Sequence, residues 1–185
     1  MFDPVLSIPK ILKALEFAAE MHKKQKRKGE EDIPYINHCI HVARLISDVG
    51  QIQDENLLIA AILHDTLEDT EAQPRDILTL FGKPVLDIVL EVSDDKSLPK
   101  AERKRLQIET AAKKSSNAKI LKIADKISNI RDIIDHPPKD WSIKRRLEYL
   151  DWSAQVIDQI RGANDPLEAL FDQYLQEGKN LLNSN

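Results

Sequence analysis

Cysteine is almost missing from these 185 residues. Cys39 stands alone, which excludes an internal disulfide and a cysteine-built zinc cluster and suits a reducing compartment. Glycine and proline are few, five and nine, and aromatic residues make up 5%; Leu, Ile, Ala, Lys and Glu fill the space they leave, a composition that favours helices. An excess of positive charge is also lacking. With a net charge of -4 the chain as a whole is no polyanion binder, so nucleic acid is not an expected partner and any nucleotide site must be a local basic patch. No apolar run approaches the roughly 20 residues that a membrane span requires. Met1-Phe2-Asp3-Pro4 has neither the basic nor the apolar region of a secretion signal, so a cytoplasmic protein away from the membrane is expected. The length suits one domain, residues 1–185, able to bury around 70% of the surface its unfolded form exposes.

What is present concentrates in Leu63-His64-Asp65-Thr66-Leu67-Glu68-Asp69-Thr70. On a continuous helix the spacing stacks His64 over Glu68 and Asp65 over Asp69, gathering an imidazole and three carboxylates in one sector. The run before it, Leu57 to Leu63, is wholly apolar and reads as a buried helix that carries the cluster. Carboxylates held so close repel unless a cation sits among them, and a metal ion is the economical explanation. The plainer reading is a solvated acidic helix end, although acids there oppose the macrodipole. Further ligands elsewhere in the chain decide between the two.

Taken in order, a first helix is expected from Ser7 to Gly29, with Pro9 in its first turn, a stripe of Ile11, Leu12, Leu15, Ala18 and Ala19, and a basic end over residues 22–28. Pro34 opens a second helix, in which His38 shares a face with Val42, Leu45, Ile46 and Val49 while His41 lies elsewhere on the circumference. Gly50 ends it and Asp54 caps the next. Short helices follow to Phe81 and from Pro84 to Ser93, then a charged turn over residues 94–99 and a polar helix from Lys100 to Lys114. From Asn117 a buried stripe of Ile120, Ile123, Ala124, Ile127, Ile130 and Ile134 carries Asp125 at its edge, where it needs either a cation or a neighbouring lysine. A long helix from Trp141 to Ile160 places Arg145 and Tyr149 four apart, and Asp165-Pro166 starts the last one. The expected fold class is an all-α globule of roughly eight to ten helices.

His38, His64-Asp65 and Asp125, each on its own helix, resemble the metal signature of the HD-domain phosphohydrolases. The segments HKKQKRKGEEDIPYINH, AAILHDTLEDT, FGKPVLDIVLEVSDDKSLPKAERKRLQ and AKILKIADKISNIRD resemble, in order, the motifs of the RelA/SpoT-type (p)ppGpp hydrolases in their stand-alone small alarmone hydrolase form, which includes the metazoan SpoT homologues. The resemblance covers nearly the whole chain.

It implies an HD-domain fold and hydrolysis of ppGpp and pppGpp to GDP and GTP with release of pyrophosphate, lowering the alarmone of the stringent response. His38, His64, Asp65 and Asp125 would bind one divalent metal, Mn²⁺ in this family, although the ligand types alone also suit zinc, iron or cobalt. Glu68 and Asp69 would position and activate the attacking water. Arg27 and Lys28 would pack on the guanine, Asn129 would meet the ribose, Arg145 and Tyr149 would line the nucleotide and phosphate side, and Lys126 is a further phosphate candidate. Where family members often carry an aromatic residue this chain has Ser128, a departure expected to touch packing beside the ribose and not the metal. No synthetase domain is expected. The rival readings are a phosphatase for another ribose-phosphorylated nucleotide such as NADPH, and a non-catalytic nucleotide sensor. Whether copies of the chain assemble into an oligomer stays open.

Overall fold

A helix that is apolar on every side has no face to turn to water, and the chain is built around the one that fits this description. In the computed structural model, which describes residues 7–29 and 32–184, Leu57 to Leu63 are all buried. Among the described residues there are ten α-helices and one π-helical turn, and no strand; an isolated antiparallel bridge joins Lys26 to Pro34. The helices are α1 (Ile8–Met21), α2 (Ile36–Arg44), α3 (Glu55–Leu63), α4 (Thr66–Asp69), α5 (Pro74–Phe81), α6 (Lys83–Val92), α7 (Lys100–Ala111), α8 (Ser116–Asp135), α9 (Ile143–Asp158) and α10 (Asp165–Asn183).

Side-chain caps begin four of them, the one at Asp54 as the sequence suggests. Asp54 Oδ1 accepts from the Leu57 N–H at 3.0 Å to start α3, Ser115 starts α8, Ser142 starts α9 and Asn164 starts α10. The second buried helix is α8, with an unbroken interior run from Ile120 to Ser128. Helices α1, α2 and α6 pack on α3; α2, α6 and α10 pack on α8, so one apolar core links both. Gly178 on α10 makes a close approach there, since a Cβ at that position would stand 3.1 Å from Leu150 Cδ1 and 3.5 Å from Ile134 Cγ1.

Four expectations need correction. Helix α1 stops at Met21 and not at Gly29, because the basic segment pairs with residues 33–35 instead of continuing the helix: Arg27 N–H donates to the Ile33 carbonyl at 2.9 Å and Tyr35 N–H to the Gln25 carbonyl at 3.0 Å. That bridge holds Pro34, so α2 begins at Ile36. The buried positions of α1 are Ala14 and Ala18, and Leu12 is 59% exposed, because the stripe is centred on small residues that let α1 lie close to α3. The apolar helix does not run unbroken through the acidic cluster; α3 ends before His64 and α4 restarts at Thr66.

Candidate active site

Adjacent residues on a regular helix point about 100° apart and do not face one another, so His64 and Asp65 can meet only where the helix is interrupted. The break between α3 and α4 supplies this. Fully buried Thr66 donates its hydroxyl to the Leu63 carbonyl at 2.6 Å, and His64 donates Nδ1–H to the Ala61 carbonyl at 2.8 Å. That bond leaves His64 Nε2 as the free atom, 3.0 Å from Asp65 Oδ2. Helix α2 brings His38 Nε2 to 3.6 Å from the same oxygen, and α8 brings Asp125 Oδ1 to 3.3 Å from His38 Nε2 and 3.8 Å from His64 Nε2.

The donor atoms themselves show whether a cation suits this convergence. Both Nε2 atoms are buried with no hydrogen-bond partner, and the ligand atoms of His38, His64 and Asp65 lie within 4.8 Å of one another. Donors around a cation held at about 2.2 Å stand roughly 3.1 Å apart at octahedral and 3.6 Å at tetrahedral angles, and the spacings found, 3.0, 3.3, 3.6 and 3.8 Å, bracket those two values. Two nitrogens and two carboxylate oxygens fit a divalent ion without selecting which one. The surrounding charge leans the same way. Burial pushes the His38 ring down. At His64 burial acts in that direction too, but the Asp65 and Asp125 carboxylates overcome it and hold the ring up at about 10. Asp65, against its own burial, is kept below the usual carboxylate range by the His64 ring.

Asp125 has a partner on each side. Its Oδ1 accepts from Asn129 Nδ2 at 2.6 Å while facing the imidazoles, and its Oδ2 pairs with Lys126 Nζ at 3.1 Å. Asp125 therefore has the neighbouring lysine as a partner and still turns one oxygen toward the imidazoles. Lys126 is buried between Asp125 and the Trp152 ring, 4.5 Å away, rather than exposed to solvent.

Beside the convergence stand Glu68 and Asp69, held by the loop between α6 and α7. Glu68 Oε2 accepts from the Asp94 N–H at 3.1 Å, and Lys96 Nζ lies 3.3 Å from Glu68 Oε1 and 2.6 Å from Asp69 Oδ1. Burial raises the Glu68 carboxyl above the ordinary value, with the Asp94 and Asp65 charges adding to it.

Asp69 lines three adjoining cavities, which therefore form one cleft. The smallest, about 180 Å³, holds His64, Asp65, Glu68 and Asp125. A second, about 320 Å³, is walled by Arg27, Lys28, Tyr35, Asn129 and Tyr149. Arg27 is fixed there by Asp132 at 2.5 Å and by Asn129 Oδ1 at 2.7 Å, with its guanidinium 5.2 Å from the Tyr35 ring centre. The third, about 990 Å³, is bordered by Lys96, Lys100, Arg103, Lys104 and Arg145, with Arg145 stacked 4.4 Å over Trp141. A chain that is acidic overall thus carries a local basic wall.

The HD-domain family model matches residues 14–150. The chain belongs to the HD-domain family, in its RelA/SpoT-type branch. A Drosophila melanogaster protein named guanosine-3′,5′-bis(diphosphate) 3′-pyrophosphohydrolase MESH1 is 46% identical over 168 residues, which are 91% of this chain and 94% of that one. The Homo sapiens protein of the same name is 47% identical over 169 residues, again 91% and 94% of the two chains. A solved structure described as a metazoan ortholog of SpoT that hydrolyzes ppGpp and plays a role in starvation responses superposes with a TM-score of 0.88 at 44% identity, covering 96% of this chain and 97% of its own.

This HD domain also uses residues that sequence reading passed over. Tyr35 donates its hydroxyl to Asp65 Oδ2 at 2.6 Å and stacks 4.8 Å from His22; it lies three residues before His38, and nothing in its spacing marked it. Asp94 and Lys96 fall in the charged turn over residues 94–99, where a lysine directly after two acids is a usable signal. Trp141 and Trp152 flank Tyr149 at 5.6 and 5.3 Å. Ser128 departs from expectation: its hydroxyl meets the His38 ring at 2.9 Å, so its neighbour is the candidate metal ligand. Among the described residues no helix is long and apolar enough to cross a membrane.

Proposed function

We propose that the chain is a Mn²⁺-dependent (p)ppGpp 3′-pyrophosphohydrolase, with residues 1–185 acting as one cytoplasmic domain that converts ppGpp and pppGpp to GDP and GTP, releases pyrophosphate and lowers the alarmone of the stringent response. The observation that carries this reading is the placement of two unpartnered imidazole nitrogens and two carboxylates at one end of a cleft whose far wall is basic. The names of the close relatives support the substrate.

In this reading His38, His64, Asp65 and Asp125 hold the ion. When bound, such an ion supplies Lewis acidity, polarising a phosphoryl oxygen and making water a better nucleophile near neutral pH. Glu68 and Asp69 align the attacking water and take its proton, a general-base contribution of roughly 10²- to 10⁴-fold. Water adds at the 3′-diphosphate, its oxygen leaves with pyrophosphate, and a proton returns to the ribose 3′ oxygen. The Asp94 N–H and Lys96 keep the acid pair in place. Arg27 and Lys28 take the guanine, Asn129 the ribose, and Arg145 and Tyr149 the nucleotide and phosphate side, with Lys100 and Lys104 adding charge opposite the phosphates.

The test is hydrolysis of ppGpp by purified, metal-stripped protein with and without Mn²⁺, the products resolved as GDP and pyrophosphate. Manganese-dependent formation of both is expected. Orthophosphate from NADPH with no turnover of ppGpp would replace the substrate, and nucleotide binding without any turnover would make the chain a sensor.

A further inference from the structure

We propose that Ser128 is a positioning residue for the metal centre, its hydroxyl bridging His38 Nδ1 at 2.9 Å and His41 Nδ1 at 3.0 Å so that the His38 ring is held with Nε2 toward Asp65 and Asp125. An imidazole that offers Nε2 to a cation must carry its proton on Nδ1, and a buried N–H needs an acceptor. The His38 side chain is 1% exposed and Ser128 is 1% exposed, so water does not supply one. Ser128 Oγ is the acceptor at hand. A hydroxyl carries one proton and two lone pairs, so having accepted from His38 it has its own proton to give, and His41 Nδ1 stands in place to receive it. The bonds then run in one direction, from His38 through Ser128 to His41. His41 is half-buried on α2 and borders a surface cavity of about 260 Å³ with Asn37, Ile40 and Arg44. The orientation of a buried ligand is therefore tied to a histidine that reaches the protein surface.

The register explains why this serine can do it. Ser128 lies three residues after Asp125 on α8, so ligand and bridge share the helix face turned toward α2, where His38 and His41 are likewise three apart.

The inference rests on His38 being a metal ligand, and the experiment separates the two. Mn²⁺ binding to the full-length metal-stripped protein is titrated by the electron paramagnetic resonance signal of the free ion for wild type, His38→Ala, Ser128→Ala, His41→Ala and the Ser128→Ala/His41→Ala double variant, with melting curves recorded alongside. Alanine is the best helix former, so Ser128→Ala keeps α8. Ser128→Ala is expected to weaken Mn²⁺ binding by about 10- to 100-fold, the usual loss when an outer partner of a ligating histidine is removed. His41→Ala is expected to lose less, and the double variant no more than Ser128→Ala, because the three groups form one chain. Ser128→Ala binding within about twofold of wild type, or additive losses in the double variant, would overturn the bridge. A wild type that takes up no Mn²⁺, or unchanged uptake by His38→Ala, would instead remove the ligand assignment beneath it.

Discussion

Glu68 and Asp125 differ in what surrounds them, and their tests differ accordingly. Glu68 touches the Asp94 N–H, Lys96 and Arg103 and none of the convergent imidazoles. Glu68→Gln is therefore expected to keep metal content while kcat falls at least about tenfold, read by steady-state kinetics beside elemental analysis; undiminished turnover would take Glu68 out of the mechanism. Burial raises its carboxyl, and the base is the ionised form, so activity should fall as pH drops through a value above the usual glutamate 4.5. That acid limb should be missing from the residual rate of the Gln variant. Asp125 acts on the ion itself. Asp125→Asn keeps the shape but removes the anionic ligand, and equilibrium dialysis should show a loss of metal affinity beyond the roughly 10- to 100-fold of outer-partner changes. Full occupancy in an inactive Asn variant would show that the ligand set is misassigned.

At the scale of elements, the segment between α1 and α2 departs furthest from its sequence pattern. A run of lysine and arginine after an amphipathic helix reads as a dipole-stabilised helix end, yet it leaves the helix because residues 25–27 find backbone partners in residues 33–35 and Arg27 finds Asp132 and Asn129 on α8. Gly29 permits this: a Cβ there would stand 2.8 Å from the His136 carbonyl oxygen, closer than side chains tolerate. Gly29→Ala is expected to push the loop off the end of α8, raising KM for the nucleotide several-fold through Arg27 and Lys28 with little change in kcat, since the acid pair belongs to α4. An equal fall in kcat with KM unchanged would show that the loop does not serve binding. The break between α3 and α4 is a second local departure, and it is the one that lets neighbouring His64 and Asp65 meet.

At the scale of the whole molecule, the site draws on α2, α4, α7, α8 and α9, so its geometry depends on the core that fixes these helices against α3 and α10. Phe171 on α10 is fully buried in that core and lines none of the three cavities. Phe171→Ala should cost about 3 to 5 kcal/mol in urea unfolding, with the Mn²⁺ affinity of the folded fraction unchanged. A melting curve equal to that of wild type would mean that the core closes over the gap. The basic wall belongs to this scale too, because Lys96, Lys100, Arg103, Lys104 and Arg145 come from a loop and two helices, and only their assembly creates a cationic surface on an acidic chain.

The sequence by itself determined the helical class, the buried runs of α3 and α8, the cap at Asp54, and the identity of the ligand and acid candidates. Periodicity and residue chemistry are local properties, and the order of motifs carried the family. The tertiary structure alone decided where the helices break, which face of α1 is buried, and two of the groups that stand behind the candidate ligands: Tyr35 behind Asp65 and Ser128 behind His38. Those partners lie 30 and 90 residues away, and hydrogen bonds across such separations leave no periodic trace. A hydroxyl in a buried stripe reads as a small core residue until the helix opposite brings an imidazole within 3 Å of it.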